Sequence, residues 1–303
     1  MNLYHVPVLL NESVDGLDVK PSGIYVDVTF GGGGHAREIL RRLGSKGRVV
    51  AFDQDADAAE NVDAIGDKRL TLVRGSFRFL RSYLRYRAVD EVDGILGDLG
   101  VSWRQLDVAE RGFSFRFDSP LDMRMNRHCE RTASALVNTC SVQELARIFA
   151  SYGELSNAAK IAKLIDAARQ KSRIATAGEL VEALRPALPS FGERKPLAKI
   201  FQALRIEVNQ EMLALEQMLP QAAKALKAGG RLSVITYHSL EDRMVKNFIR
   251  CGNVRGEMGK DPFGAATAPL EAINKKVALP TEAELRQNPR ARSAKLRIAQ
   301  KIS

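Results

Sequence analysis

Cysteine is scarce in this chain, and long apolar runs are missing. The 303 residues include three cysteines, which are Cys129, Cys140 and Cys251. Their number is odd and their spacing matches neither a zinc site nor a disulfide framework, so we predict no metal centre and expect a reduced, cytoplasmic protein. No apolar run approaches the length of a membrane span, and no charged-then-apolar signal opens the chain, so no membrane partner is expected.

Positive charge, in contrast, is abundant. Lys and Arg together number 46 against 36 acidic residues, which gives a formal net charge of +10. This balance favours a polyanionic partner, with nucleic acid first, although a basic enzyme without such a partner is the alternative. The length suits one large domain with an insertion.

The stretch from Ile24 to Asp53 has the pattern of a nucleotide-binding unit. It reads as a strand, a turn of four glycines, a helix and a second strand that ends at Asp53. Glycines at such a turn let the backbone approach a ligand, and an acid at the second strand end can accept hydrogen bonds from ribose hydroxyls. Glycine-rich turns also join strands to helices in proteins that bind nothing. The stretch alone does not separate a dinucleotide from S-adenosylmethionine, because its glycines also fit the looser dinucleotide fingerprint.

Two further segments point to the same edge of a parallel sheet. Residues Val92 to Leu99 read as a buried strand with Asp98 near its end, and a strand over Arg69 to Val73 is followed by Phe77. Ligands of an open α/β sheet lie outside the carboxyl ends of the strands. Asp98 is therefore the second acid aimed at the crevice, and Phe77 lies where an adenine ring could rest. A position in the core is the equal alternative for Phe77.

The middle of the chain is mostly helical in pattern. We predict a helical insertion over 106–210 between two parts of a sheet domain, 1–105 and 211–303. Apolar residues recur at three- and four-residue steps from Leu197 to Leu219, which predicts one long helix stopped by Pro220. The insertion is expected to grip a substrate larger than a cofactor. Arg205 and Asn209 on this helix are candidate substrate contacts, with inter-domain hydrogen bonding as the alternative.

Near the C-terminus a strand pattern follows a basic loop. Residues 294–298 alternate as in a strand with one buried face. Arg290 and Arg292 precede it, and two guanidinium groups so close together suit phosphate. A solvated basic edge is the alternative.

Ten short motifs, in order along the chain, carry a resemblance to a known family. They are HVPVLLNESVDGL, VDVTFGGGGH, AFDQD, DLGVS, QLD, ERGFSF, PLDMRM, IFQALRIEVNQEM, GGRLSVITYHSLEDR and NPRARSAKLR. With these motifs the sequence closely resembles the bacterial S-adenosylmethionine-dependent 16S ribosomal RNA cytidine N4-methyltransferases, the small-subunit methyltransferase H family. The resemblance covers nearly the whole chain.

The resemblance implies a fold, an activity and a cofactor site. The fold would be a Rossmann-like methyltransferase sheet with a helical insertion domain. The activity would be methylation of the exocyclic N4 of the cytidine at position 1402, with 16S ribosomal RNA in the small subunit as partner and a homodimer as one possible assembly. The implied cofactor-binding residues are Gly33, Gly34, His35, Asp53, Phe77, Asp98 and Gln105. The chain departs from the family at Trp103 and Arg104, where a proline turn is lost, and in a shortened 251–280 loop.

The resemblance does not name the group that holds the target N4. Tyr237, His238 and Ser239, at the tip of the fifth predicted strand, are the candidates for catalysis. His238 has an equal alternative role, which is to tie this loop to Glu241 or Asp242. Two other function classes stay open on the residues alone: a nicotinamide-dependent oxidoreductase, and a non-catalytic RNA-binding factor.

The basic C-terminal loop gives a first prediction. Replacing Arg290 and Arg292 by Glu should weaken RNA binding and leave S-adenosylmethionine binding unchanged, because phosphate contacts make RNA affinity fall with salt and each lost contact flattens that dependence. The measurement is RNA affinity across a salt series, with calorimetric titration of the cofactor as control. If variant and wild type share one salt slope, these arginines are only solvated.

Overall fold

The computed structural model describes residues 7–189, 191–259 and 268–302. The chain divides into two compact units. The first comprises Met1–Gly100 together with Met212–Ser303, and the second comprises Val101–Glu211. The predicted insertion falls within the second unit, and its role in gripping a substrate stays a prediction. Residues 260–267 of the 251–280 loop, which the sequence marks as shortened, lie outside the described residues.

The first unit is built on a seven-stranded sheet. Its strands are β1 (Ile24–Asp27), β2 (Arg48–Asp53), β3 (Leu70–Arg74), β4 (Val92–Asp98), β5 (Leu226–Thr236), β6 (Leu270–Ala272) and β7 (Lys295–Lys301). They lie in the order β3-β2-β1-β4-β5-β7-β6. The first five are parallel, and β7 pairs antiparallel with both β5 and β6. After β1 the chain adds β2 and β3 on one side of that strand and then β4 on its other side. The strand order therefore reverses between β1 and β4, which is the place where open α/β sheets bind their ligands.

Seven helices belong to this unit. They are α1 (Leu10–Gly16), α2 (Gly34–Arg42), α3 (Ala58–Ile65), α4 (Leu80–Tyr86), α11 (Glu211–Ala225, in this unit from Met212), α12 (Ser239–Cys251) and α13 (Glu282–Gln287). Helices α1, α2 and α3 pack on the sheet face that carries Tyr25 and Ala51. Helices α4, α11 and α12 pack on the face that carries Val26 and Phe52. Because successive strand residues point to opposite faces, each apolar strand supplies both cores.

The second unit is helical. Its helices are α5 (Trp103–Asp107), α6 (Ala133–Thr139), α7 (Val142–Gly153), α8 (Ala158–Arg169), α9 (Ala177–Leu184) and α10 (Arg194–Asn209). Their starts follow local chemistry: Ser141 and Thr176 cap α7 and α9, and the glutamates three residues on return the bond in two capping boxes. One buried cluster, which includes Leu145, Ile161 and Leu204, holds the helices together.

The predicted single helix from Leu197 to Leu219 was wrong. The chain forms α10, then Gln210 adopts a left-handed conformation at φ 51°, and α11 starts at Glu211. Pro220, predicted to stop the helix, lies inside α11. The apolar stripe continues past it, since Ala222 and Ala223 are buried in the sheet domain's core. Burial of that face therefore outweighs the cost of a helical proline.

Several other predicted elements are confirmed. The predicted strand Val92–Leu99 is β4, and the C-terminal alternating segment forms the antiparallel strand β7. The α/β fold class is confirmed by the parallel sheet with helices on both faces. Within the described ranges no helix combines the length and apolar character needed to cross a membrane.

Candidate functional site

Three acidic residues end three neighbouring parallel strands. Asp27 is the last residue of β1, Asp53 of β2 and Asp98 of β4. In the sheet register Asp27 lies opposite Ala51 and Leu96, so the other two acids each come two residues further along. Paired residues share a face and the side-chain period is two. All three carboxyl groups therefore belong to one face at the carboxyl edge, beside the point where the strand order reverses.

Asp53 holds the glycine turn. One carboxylate oxygen, Oδ2, accepts the Gly31 amide at 2.8 Å, and Oδ1 accepts the Asp55 amide at 2.8 Å. Each oxygen keeps a further lone pair for a ligand hydroxyl. Burial raises the pKa of Asp53 to about 6, and repulsion from the nearby Asp55 adds to the rise. The hydrogen bonds from these amides lower the pKa but do not outweigh the burial. Its predicted role in binding ribose stays a prediction.

Gly33 and Gly34 are required by packing at the turn. Gly33 has φ +76° at the start of α2, and a Cβ there would approach Phe30 and Ile65 to 2.9 Å. A Cβ on Gly34 would lie 2.1 Å from the ring of Pro7. Packing of the fold therefore accounts for part of the requirement for glycine at this turn, independently of any ligand.

His35 is a buried neutral residue. Burial lowers the pKa of this imidazole to about 4. Its Nε2 lies 3.2 Å from the carbonyl oxygen of Val8, to which a neutral ring donates from that nitrogen. Its Nδ1 lies 4.0 Å from Asp98 Oδ2, too far for a hydrogen bond. A neutral His35 does not neutralise Asp98, and its predicted part in the cofactor site stays a prediction.

Asp98 and Tyr237 form a hydrogen-bonded pair. The Tyr237 hydroxyl donates to Asp98 Oδ1 at 2.8 Å, and the Asp98 amide donates to the hydroxyl of Thr29 at 2.6 Å. Burial raises the pKa of Asp98 to about 7, and Asp27 and Glu241 add to the rise while the Tyr237 bond opposes it. Burial also raises the pKa of Tyr237 well above its ordinary value, so Tyr237 remains a donor.

Asp27 is the residue that sequence reasoning missed. It is 1% exposed, its Oδ1 accepts the Thr29 amide at 3.0 Å, and its Oδ2 has no hydrogen-bond partner among the described residues. Burial raises its pKa to about 7, with Asp53 adding to the rise. The available signal was an acid closing the first strand just before the glycine turn. This unpaired buried oxygen makes Asp27 a candidate ligand contact at this edge.

The charge of this edge decides between the two ligands left open by the glycine turn. None of the three acids is paired with a Lys or Arg in the described part of the chain. A dinucleotide would bring a doubly charged pyrophosphate against carboxylates. S-adenosylmethionine carries a sulfonium and an ammonium group, which carboxylates attract. The residues present therefore fit S-adenosylmethionine.

The remaining predicted cofactor residues lie in different units. Phe77 opens a short 3-10 turn, Phe77–Phe79, directly after β3 and is half-buried against the core. Gln105 belongs to the second unit, where it is 5% exposed and forms a capping box with Ser102 at the start of α5. The helix α5 therefore starts with a regular cap although Arg104 stands two residues into it. The side chain of Trp103 lies outside the described residues.

Of the three catalytic candidates, Tyr237 is bonded to the crevice acid Asp98. The Nδ1 of His238 accepts the Glu241 amide at 3.4 Å, and Glu241 in turn accepts the Tyr237 amide at 2.9 Å. His238 Nε2 lies 3.2 Å from Glu241 Oε1, but the two atoms are not aligned as a hydrogen bond. His238 therefore caps α12 as in its alternative role, and Ser239 is exposed in the first turn of that helix. A catalytic role for either stays a prediction.

The predicted substrate contacts have protein partners. The Arg205 guanidinium makes two bonds to the Glu211 carboxylate, at 2.8 and 2.9 Å. Asn209 donates to the Met123 carbonyl and accepts the Met125 amide. Both thus organise the second unit itself. Arg290 and Arg292 lie in the 3-10 turn Pro289–Ser293, with Arg292 exposed. Substrate binding by these four stays a prediction.

The chain matches known proteins along its whole length. The model of the MraW methylase family matches residues 2–302. A relative named ribosomal RNA small subunit methyltransferase H, from Bacteroides thetaiotaomicron, is 57% identical over 298 residues, which cover 98% of this chain and 97% of the relative. Relatives of the same name from Flavobacterium johnsoniae and Cytophaga hutchinsonii are 54% and 50% identical over 299 residues, covering 99% of this chain and 98% and 100% of their own.

The raised pKa of Asp27 predicts how the stability of the protein depends on pH. The folded protein holds the Asp27 proton up to about pH 7, whereas an unfolded chain loses it near pH 4. The free energy of unfolding should therefore fall as pH rises between these values and stay low above them. Asp27→Asn removes this loss and should stabilise the ligand-free protein by about 1–4 kcal/mol above neutral pH. Urea unfolding of both proteins at about pH 5 and about pH 8.5 measures it, and an equal difference at both pH values would contradict it.

Proposed function

This chain belongs to the MraW methylase family, and on that basis we propose that it transfers a methyl group from S-adenosylmethionine to the exocyclic N4 of a cytidine in 16S ribosomal RNA of the small ribosomal subunit. The observation that carries the proposal is the full-length match to relatives named ribosomal RNA small subunit methyltransferase H. Bacterial ribosomes lie in the cytoplasm, which is where the proposal places the enzyme. A homodimer stays a prediction.

The residues of the crevice have separate tasks in binding the cofactor. Asp53 accepts hydrogen bonds from the ribose while its own bond to Gly31 keeps the glycine turn closed. The free Oδ2 of Asp27 attracts the positive end of the ligand. Phe77, half-buried after β3, offers its ring to the adenine. When bound, S-adenosylmethionine supplies an electrophilic methyl group.

Asp98 is the group best suited to the reacting amine. The N4 lone pair of cytosine is delocalised into the ring, and positive charge gathers on N4 as the new N–C bond forms. A fixed carboxylate next to that nitrogen stabilises the charge and accepts the proton that N4 then sheds. With Oδ1 held by Tyr237, Oδ2 is the oxygen available to N4. A pKa of about 7 lets Asp98 take up and release that proton near neutral pH.

The function is tested by methyl transfer with identification of the product. Wild-type protein with radiolabelled S-adenosylmethionine should label small ribosomal subunits that lack the modification, and digestion to nucleosides should yield N4-methylcytidine. Asp53→Ala should weaken cofactor binding by roughly 1.5–3 kcal/mol, the cost of lost bonds to a charged acceptor, and slow labelling at limiting cofactor. Label in any other nucleoside would refute the proposal, and calorimetric titration giving wild-type affinity for Asp53→Ala would refute the role of that acid.

The pairing of Tyr237 with Asp98 gives a separate prediction. At saturating cofactor the single-turnover rate should rise with pH through the pKa of Asp98 and then level off, because the ionised carboxylate is the active form. Tyr237→Phe removes a donor that favours this form, so the midpoint should move to higher pH. The rate–pH profiles of both proteins measure it. A lower rate with an unmoved midpoint would show that Tyr237 acts on something other than Asp98.

A further inference from the structure

One segment of the chain carries several basic residues and no acid. Between Lys68 and Val89 there are seven Lys and Arg residues and no acid. The whole chain has a formal net charge of +10. This segment of β3, the 3-10 turn and α4 therefore has an uninterrupted run of positive charge, and acids resume directly after it, at Asp90 and Glu91.

The fold turns this segment outward. Leu80 and Leu84 are buried in the sheet domain's core and fix one side of α4. Arg85 on α4, Arg87 at the end of that helix and Arg74 at the end of β3 are exposed to solvent. The 3-10 turn follows the carboxyl end of β3, so this part of the segment lies at the edge that carries the crevice acids, and α4 continues from it.

These arginines lack acidic partners. In the described part of the chain Arg74, Arg81, Arg85 and Arg87 make no ion pair, and the Nε of Arg81 has no hydrogen-bond partner. Arginines elsewhere are commonly paired, as Arg205 is with Glu211. Unpaired guanidinium groups in one segment create a positive potential that favours a bound anion.

Two aromatic rings lie among the arginines. Phe79 is 50% exposed, and the Arg78 guanidinium carbon lies 5.4 Å from its ring centre. Tyr86 is 84% exposed, and the guanidinium carbon of Arg87 lies 6.0 Å from the centre of the Tyr86 ring. An aromatic face with a guanidinium group beside it stacks an unpaired base and holds its phosphate at once.

We propose that this arginine–aromatic surface binds unpaired ribosomal RNA next to the target nucleotide. It comprises Arg74, Phe79, Arg81, Arg85, Tyr86 and Arg87. The proposal rests on the proposed function for the identity of the RNA, but the surface chemistry selects single-stranded RNA by itself. Phosphates pair with the free guanidinium groups, and bases stack on the two rings.

The charge part of the surface is tested with a matched control. Arg85→Gln with Arg87→Gln removes two exposed, unpaired charges. Lys46→Gln with Arg48→Gln removes two exposed charges at the opposite, amino-terminal edge of the sheet. With a fluorescent single-stranded oligouridylate as probe, the first pair should weaken binding and lower the slope of log affinity against log salt by about 1.4, the value for two phosphate contacts to a single strand. The control pair should leave the slope unchanged.

The stacking part is tested with Tyr86→Ala and Phe79→Ala. Each should weaken binding of the same probe by roughly 5- to 150-fold without changing the salt slope, because stacking is not a counterion effect. Calorimetric titration with S-adenosylmethionine should give wild-type affinity for every variant and so confirm that each is folded.

A second assay separates this proposal from the proposed function. Single-turnover methylation of unmodified small subunits, at saturating cofactor and limiting RNA, should slow in the surface variants and stay at the wild-type rate in the control pair. If wild type methylates no small subunit but the surface variants still lose oligouridylate binding, the proposed methyl transfer is refuted and the proposed RNA-binding surface is supported. Equal RNA affinity of the surface and control variants would overturn the proposed RNA-binding surface. The same conclusion would follow if wild type bound phosphatidylserine vesicles and the substitutions left oligouridylate binding unchanged.

Discussion

Repulsion among three carboxyl groups at the carboxyl edge of the sheet is the constraint on which the site depends. Asp27, Asp53 and Asp98 are brought to one face by the register of parallel strands, and no cation of the described chain is paired with them. Burial raises their pKa values to about 7, 6 and 7, and repulsion adds to the rise, from Asp53 at Asp27, from Asp55 at Asp53, and from Asp27 and Glu241 at Asp98. The ligand-free protein holds unfavourable charge there near neutral pH, and a cationic ligand relieves it.

The surrounding structure keeps these acids in place in spite of that repulsion. Backbone amides of the glycine turn and of the loop after β2 bind Asp53, and Tyr237 binds Asp98. Thr29 links two of the strand ends, since its amide binds Asp27 and its hydroxyl accepts the Asp98 amide. The net effect is a preorganised acidic edge, in which stability is given up for electrostatic attraction to the ligand and to charge formed during reaction.

Opposite charges are separated within the same unit. The acids lie at strand ends, where a sulfonium cofactor is attracted, and the unpaired arginines lie at the end of β3, on α4 and directly after it, in the same segment as two exposed rings. A polyanionic substrate would be repelled by the first region and held by the second. This arrangement explains how a chain with a net charge of +10 presents an acidic site to its cofactor.

The sequence by itself determined the elements and much of the chemistry. Alternating and helical periodicities, the glycine turn and the acids Asp53 and Asp98 predicted a parallel α/β sheet with a crevice, because these signals are local. The prediction from the sequence was wrong where long-range packing prevailed. The helix continues through Pro220 because the apolar face of that helix is buried in the core. Only the tertiary structure decided that Asp27 faces the same site, that Tyr237 reaches Asp98, and that α4 leaves its arginines without acids. Each of these depends on strand register or on contacts between segments far apart in the chain, which periodicity does not encode.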